Sequence, residues 1–352
     1  ARAGPRALSG GGLMERRVTA AAVAQRAGVS RSAVSRVFTP GASASPHTVT
    51  KVRRAAEELG YRPNILARAM VSGKSRIIGL MVAYLDNQFY PMAMERLSFA
   101  LQEQGYHILV FMVSNATDGV ERVVDELMDY QVDGIILASV SMSSALAGRC
   151  AAAGIPVVLF NRGQDGAGLS TVTSDNLAGG RKVADFLVAG GHRRIAHIAG
   201  WQGASTGRDR ALGFRQGLEA AGMAPCAEID GMYKRETAIE AAQVLMMRPD
   251  PPDAIFVGND HMAFAVMDCL RGDLGLRVPH DVSIVGYDDV PLADWGAYLL
   301  TSLRQPVGRM VEATVETLLG QIADPERPAQ KTEIAGPLIL RASARIPEGW
   351  ET

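Results

Sequence analysis

Residues 27–38 read A27-G28-V29-S30-R31-S32-A33-V34-S35-R36-V37-F38, and the fold of the first part of the chain turns on this stretch. Val34 and Val37 stand three apart, while Arg31, Ser32, Ser35 and Arg36 fill the other positions. In a helix that spacing buries one narrow apolar stripe and leaves a polar face carrying two arginines. Gly28-Val29 supplies a tight break before the helix, and Ser30 is placed to cap it. Upstream, Thr19 can cap a helix over 20–27, with Val23 and Ala27 on its inner face. Downstream, Ser45 caps and Pro46 opens a third helix, with Val49, Val52, Ala56 and Leu59 at helical spacing. Helix, glycine turn, helix is the arrangement in which the second helix enters the major groove of DNA. Arg31, Ser32 and Arg36 are then positioned to meet bases or phosphates.

Charge is distributed to match. The whole chain of 352 residues carries 36 Lys and Arg against 37 Asp and Glu, a net of −1. Between Met14 and Arg76, however, twelve Lys and Arg face only Glu15, Glu57 and Glu58. A basic head on a larger acidic body is the electrostatic footprint of a nucleic-acid module joined to a second function. Residues 1–13, rich in Gly, Ala and Arg without periodicity, read as a disordered leader, with Met14 as the natural start.

From Arg76 onward the texture is strand–helix alternation. The short apolar runs 77–82, 107–112, 133–138 and 156–160 read as buried parallel strands, and the cycle repeats at 195–200, 254–260 and 282–288. Two doubly wound halves in series predict a two-lobed α/β body with a cleft. Ligands in open α/β sheets bind beyond the carboxyl ends of the strands, where aromatic rings, amides, carboxylates and arginines gather here. Such groups suit a polyol, with rings against C–H faces and charged groups on paired hydroxyls.

Other chemistry finds little footing. Cys150, Cys226 and Cys269 lie far apart with no CxxC, and the histidines show no ligand spacing, so neither a metal nor a disulfide framework is expected. There is no Walker loop and no strand-linked GxGxxG, hence no expected cofactor. No run of about 18 apolar residues would span a membrane, and a reducing, cytoplasmic, nucleoid-associated setting is expected. One enzymatic alternative has a motif: Gly203-Ala204-Ser205-Thr206-Gly207 fits GxSxG, the elbow of an α/β hydrolase with Ser205 as nucleophile. Trp201 and Gln202 separate it from its strand, and nothing places His261 or His280 beside it. A solute-binding protein without a regulatory role is the other alternative.

The segments VTAAAVAQRAGVSRSAVSRVF (18–38) and TVTKVRRAAEELGYRPNILARAM (48–70) resemble the DNA-binding head of the LacI family of bacterial transcription regulators. The body resembles the periplasmic-binding-protein-like effector domain of the same family. The resemblance implies a head over 14–62 and a hinge helix and linker over 63–75. It also implies an effector and dimerisation domain over 76–352, with lobe 1 at about 76–174 plus 304–332 and lobe 2 at about 175–303 plus 333–352. It implies a pseudo-palindromic operator bound by a homodimer, or a tetramer, of non-enzymatic chains, most simply a repressor. Expected DNA contacts are Thr19, Ser30, Arg31, Ser32, Ser35, Arg36, Asn64, Ala67, Arg68 and Met70. In the family the hinge helix wedges an apolar side chain, usually leucine, into the minor groove, and Met70 stands at that position.

Effector contacts implied are Tyr84, Asn87, Phe89, Asn161, Arg162, Thr206, Arg210, Tyr233, Asn259 and Asp288. Arg210, in RDRALGF, falls on the family's effector-contacting arginine, and Asp175-Asn176, in TSDNLAGG, on a signature at the lobe crossing. Tyr84 and Asn161 stand where aspartates are usual, and Gln88 where proline is usual. Two negative charges are therefore missing while Arg162 and Arg210 remain, which favours a sugar or, more specifically, a sugar acid as effector.

Overall fold

The computed structural model describes residues 18–39, 42–62, 74–113, 117–164 and 168–350. The leader expected at 1–13 and the hinge contacts expected at Asn64, Ala67, Arg68 and Met70 lie outside the described residues. The chain divides into two units, Ala1–Ser75 and Arg76–Thr352.

In the first unit, α1 (Ala20–Ala27), α2 (Arg31–Phe38) and α3 (Pro46–Leu59) pack around Val23, Val34, Val52, Ala55 and Ala56. Each helix is capped by a side chain that the local sequence supplies: Thr19, Ser30 and Ser45 accept from the amides of Ala22, Ala33 and Thr48. Gly28 closes α1 in the left-handed region at φ 66°, where a Cβ would be strained, and so lets α2 leave at once. Glu58 of α3 pairs with Arg26 of α1 and with Arg54 one turn back. Ala24 rather than Ala27 is the second fully buried residue of α1.

The second unit holds two six-stranded sheets. In the first, β1 (Ile77–Val82), β2 (His107–Met112), β3 (Gly134–Ala138), β4 (Val157–Phe160), β5 (Ser170–Ser174) and β11 (Lys331–Ile334) run in the order β11-β5-β4-β3-β1-β2, all parallel. In the second, β6 (Ile195–Ala199), β7 (Ala227–Asp230), β8 (Ala254–Val257), β9 (Ser283–Asp288), β10 (Thr301–Arg304) and β12 (Leu338–Ile339) run β12-β10-β9-β8-β6-β7. Only β12 is antiparallel to its neighbour among these pairs. The chain thus passes between sheets after β5, after β10 and after β11. We call the half built on the first sheet lobe 1 and the other lobe 2.

Central strands are buried on both faces, which is why IIGLMV, GIILA and VVLF are continuous apolar runs. The helices α4 (Phe89–Glu103), α5 (Thr117–Asp129), α6 (Ser144–Ala152) and α11 (Val307–Ala323) belong to lobe 1. Helices α7 (Asn176–Ala189), α8 (Ser205–Ala220), α9 (Arg235–Met246) and α10 (Asp260–Asp268) belong to lobe 2. The α7–α8 pair is packed backbone to backbone. A Cβ at Gly180 would lie 2.2 Å from the Arg210 carbonyl, and one at Gly213 only 1.9 Å from the Leu177 carbonyl. That close approach sets Arg210 beside Asn176 and so builds one wall of the site.

Candidate functional site

Two surfaces carry the expected chemistry, one in each unit. On the head, Val34 is buried while Arg31, Ser32, Ser35 and Arg36 are exposed along α2. Ser30 is committed to its cap and shares a 2.9 Å contact with the Ser32 hydroxyl. Thr19 likewise spends its hydroxyl oxygen on the start of α1. The two arginines of α2 therefore stand out as its charged groups, on a helix whose apolar edge is held by α1 and α3. A rigid, solvent-facing helix with paired donors of this kind can enter a major groove and fork to a guanine edge or a phosphate.

The second surface is the cleft formed by the strand carboxyl ends of both lobes. From lobe 1, the loop after β1 brings Tyr84 and Asn87, the residue after β3 is Ser139, and those after β4 are Asn161 and Arg162. From lobe 2 come Thr206 at the start of α8, Arg210 one turn on, Tyr233 after β7, Asn259 after β8 and Asp288 at the end of β9.

At the centre of the lobe 2 half lies Arg210, only 3% exposed. It donates from Nε to Asn176 Oδ1 at 2.9 Å and from Nη1 to the Gly258 carbonyl at 2.7 Å. Its Nη1 also stands 3.5 Å from Asp288 Oδ1, and the guanidinium lies 3.6 Å over the Tyr287 ring. Asp288 accepts from Gln305 Nε2 at 2.7 Å and is hydrogen-bonded by Asn87 from the opposite lobe. Burial pushes the Asp288 carboxyl up to about 6, against the pull of Arg210. Its neighbour Asp289 turns away to Arg304 and Arg341.

Hydroxyls fill the rest. Ser139 Oγ donates to the Tyr84 hydroxyl at 3.2 Å, Asn161 Nδ2 donates to the Tyr90 hydroxyl at 3.3 Å, and Thr206 and Tyr233 share a 3.3 Å contact. Burial raises the Tyr84 and Tyr233 phenols above their ordinary range, so both remain neutral hydrogen-bonding groups. Tyr233 packs against Gly200, where a Cβ would fall 2.0 Å from its ring. Six non-glycine residues at the strand ends, Ser139, Asn161, Met232, Tyr233, Asp288 and Asp289, hold positive φ between 54° and 119°. Backbone of that kind persists only where the surroundings fix it, and it concentrates at ligand-binding loops.

The lobes meet across the cleft at several points. Ser205 Oγ accepts from the Gly163 amide at 2.9 Å, His261 Nε2 approaches Asp86 Oδ2 at 3.6 Å, and the Arg162 guanidinium sits 5.7 Å from the centre of the Trp201 ring. A ligand held by Asp288 and Arg210 on one side and Asn87, Tyr84 and Arg162 on the other would report its presence as a change in the angle between lobes.

Of the effector residues expected from sequence, Tyr84, Asn87, Asn161, Arg162, Thr206, Arg210, Tyr233 and Asp288 come together in this way. Asn259 adjoins them, but its Oδ1 caps α10 by accepting from Met262 N at 3.0 Å, which leaves its amide nitrogen as the remaining donor. Phe89 is placed differently: it lies in the hydrophobic core, stacked on Phe160 at 6.1 Å, and the next residue, Tyr90, takes the position at the cleft. Gln305, Ser139 and Trp201 carry no sequence signal for the cleft, and Asn176, expected as part of the lobe-crossing signature, joins it by accepting from Arg210 Nε. Ser205 opens a helix as the GxSxG motif would have it, but it lacks a nucleophile's partners: its oxygen accepts the Gly163 amide, and His261 faces Asp86 instead.

Both units are similar to known proteins. Residues 20–64 match the bacterial regulatory proteins of the lacI family, and residues 184–344 match the periplasmic binding protein-like domain. The transcriptional regulator CelR of Thermobifida fusca is 35% identical over 338 residues, covering 91% of this chain and 97% of that protein. The ribose operon repressor of Escherichia coli is 29% identical, covering 92% and 98%. Among solved structures, the CelR–cellobiose complex superposes with a TM-score of 0.69 at 33% identity, covering 93% of this chain and 100% of that one. The lac repressor dimer bound to operator and an anti-inducer gives 0.84 at 26% identity, covering 93% and 99%. The chain belongs to the LacI family, whose members are DNA-binding transcription regulators and not enzymes.

Proposed function

We propose that this protein is a cytoplasmic repressor that binds a pseudo-palindromic operator as a homodimer and yields or holds that operator according to a sugar or sugar acid in the interlobe cleft. Arg31, Ser32, Ser35 and Arg36 of each head read and anchor the major groove, with Thr19 and Ser30 fixing the helix starts close to the phosphates. Asn64, Ala67, Arg68 and Met70 act at the centre of the operator through the hinge. A segment of about two turns is marginal alone in water, so modest changes at the cleft suffice to shift its folding and with it DNA affinity.

The observation that carries the effector half of this reading is the buried Arg210–Asp288 pair. Both groups are nearly inaccessible, Asp288 ends β9 while Arg210 reaches it from the second turn of α8, and Asp288 is bonded from both lobes through Arg210 and Asn87. An ion pair tied to such a junction is a natural grip for vicinal hydroxyls, and a sugar is what one similar structure holds, the CelR–cellobiose complex. A thermal-shift panel of sugars, sugar acids, sugar phosphates and nucleobases tests it. A ligand at a hundred times its dissociation constant adds about 2.7 kcal/mol of stability. The hit must then change operator affinity in an anisotropy titration. A stabilising ligand with no effect on DNA binding would refute the coupling.

A further inference from the structure

The two cleft arginines differ in how they are compensated. Arg210 is met by Asp288. Arg162 is just as buried, at 4% exposure, yet among the described residues no carboxylate pairs with it. Its Nη2 donates to Ser139 Oγ at 3.1 Å, its Nη1 makes only a 3.5 Å contact to Ser141 Oγ, and its Nε finds no acceptor. Removing a cation from water without an opposite charge is costly, and hydroxyls return little of that cost. The residue before it is Asn161, whose own Oδ1 is also without a partner. Among the described residues, an anion is the component this arrangement lacks.

Space for it is present. A cavity of about 500 Å³ opens between the lobes on this side, lined by Ser141, Ser143, Gln164 and Arg162 from lobe 1 and by Trp201 and Arg208 from lobe 2. That falls within the range of about 300–1,000 Å³ usual for small-molecule sites. Trp201 lies against Arg162 from the opposite lobe and limits where the guanidinium can go. Arg208 spends Nη1 on the carbonyls of Gln202 and Gly203 and adds a second positive charge to the wall. The hydroxyls of Ser141 and Ser143 supply hydrogen bonds suited to a sugar, while the Gln164 amide is spent on the Met142 backbone and holds the wall in place.

We propose that the effector is an anionic saccharide whose carboxylate is bound by Arg162 in this outer chamber, while its hydroxyls are held at Asp288 and Arg210. This rests on the reading of the cleft as the effector site and narrows it. Of the two arginines, Arg162 is the one that selects for charge; Arg210, already neutralised, orients Asp288 and does not distinguish acid from neutral sugar.

The test is calorimetric titration of the full-length protein with two matched pairs: glucuronate against glucose, and an aldobiouronic acid (a glucuronosyl glucose) against cellobiose. Arg162→Gln and Arg162→Lys are titrated alongside. A charge-assisted contact to a buried guanidinium corresponds to a preference of about ten- to a hundredfold for the acid of a pair. Arg162→Gln weakens the acid far more than its neutral partner, so that the ratio of their affinities falls to about one, and Arg162→Lys, which retains the charge, keeps part of the preference. Equal or tighter binding of the neutral member, or an acid preference untouched in Arg162→Gln, overturns the proposal and leaves the cleft as an effector site. Absence of binding by every saccharide, in a protein that still binds operator, overturns the effector reading as well.

Discussion

Replacing Arg210 by alanine removes the most connected cation of the cleft, and its cost follows from what is left behind. Three contacts vanish, to Asn176, Gly258 and the face of Tyr287, and Asp288 is stranded at 2% exposure. Breaking a buried pair by removing one partner costs about 3–5 kcal/mol, mostly because the remaining charge has no compensation. For a unit of this size that corresponds to a fall in melting temperature of roughly 10 °C. The pH dependence identifies the source. Asp288 titrates near 6 in the folded protein, above an unfolded value of about 3.9. A carboxyl raised by folding is better tolerated protonated, so its contribution to stability falls as pH rises through that window. Loss of Arg210 raises the carboxyl further, and the deficit of Arg210→Ala must be larger at pH 8 than at pH 5. Urea unfolding at both pH values measures it. Arg210→Ala combined with Asp288→Asn should recover a large part of the loss, since the amide keeps an acceptor for Gln305 and carries no charge. A double variant no more stable than Arg210→Ala would refute the stranded-charge argument.

Other consequences are simpler to measure. Gly213→Ala places a methyl 1.9 Å from the Leu177 carbonyl, so α7 and α8 must part; a loss of about 1–3 kcal/mol in unfolding, with weakened effector binding, is expected. Ser45→Ala removes the acceptor for Thr48 N at the start of α3 and should cost the head about 1 kcal/mol in a thermal melt, with the cleft unaffected. His261 is held below its ordinary value by burial, against an upward pull from Asp86. Asp86→Asn should therefore lower it further in an NMR titration, and make the stability lost from this group as pH falls below about 6.5 greater. An upward shift would mean that the 3.6 Å approach is not an interaction in solution.

Much of the architecture was legible because it rests on local rules. The caps Thr19, Ser30 and Ser45, the glycine turn at Gly28 and the narrow stripe of Val34 and Val37 are all short-range signals, and α1, α2 and α3 fall where those signals lie. The apolar runs of β1, β3 and β4 become strands buried on both faces. The run 107–112, expected to be buried as well, forms the edge strand β2 with Val110 and Met112 exposed, because among the described residues no strand or helix covers that side fully. The remaining strands were harder to see. β5 is Ser-Thr-Val-Thr-Ser, fully buried although polar, because it lies between β4 and β11 and bonds to both. No hydropathy pattern marks such a strand. The cleft shows the same division. Residues directly after strands, such as Asn161, Tyr233 and Asp288, could be named from sequence. Gln305 could not, and Asn176 was marked only by its lobe-crossing signature and not by its bond to Arg210, since these roles come from the return of the chain after β10 and from the close packing of α7 on α8. Phe89 and Tyr90 are adjacent aromatics on one helix, and only the packing against Phe160 decides which of them turns inward.

The regulatory role of the protein requires that the head read DNA with α2. Selection of duplexes from a random-sequence pool by the full-length protein, repeated with Arg36→Ala, measures this directly. The prediction is enrichment of an inverted repeat by the parent protein, with the variant binding that sequence about 1–3 kcal/mol more weakly, the range for a bidentate base contact. No enriched sequence, or an enriched repeat bound equally well by Arg36→Ala, would contradict the assignment of α2 as the reading helix.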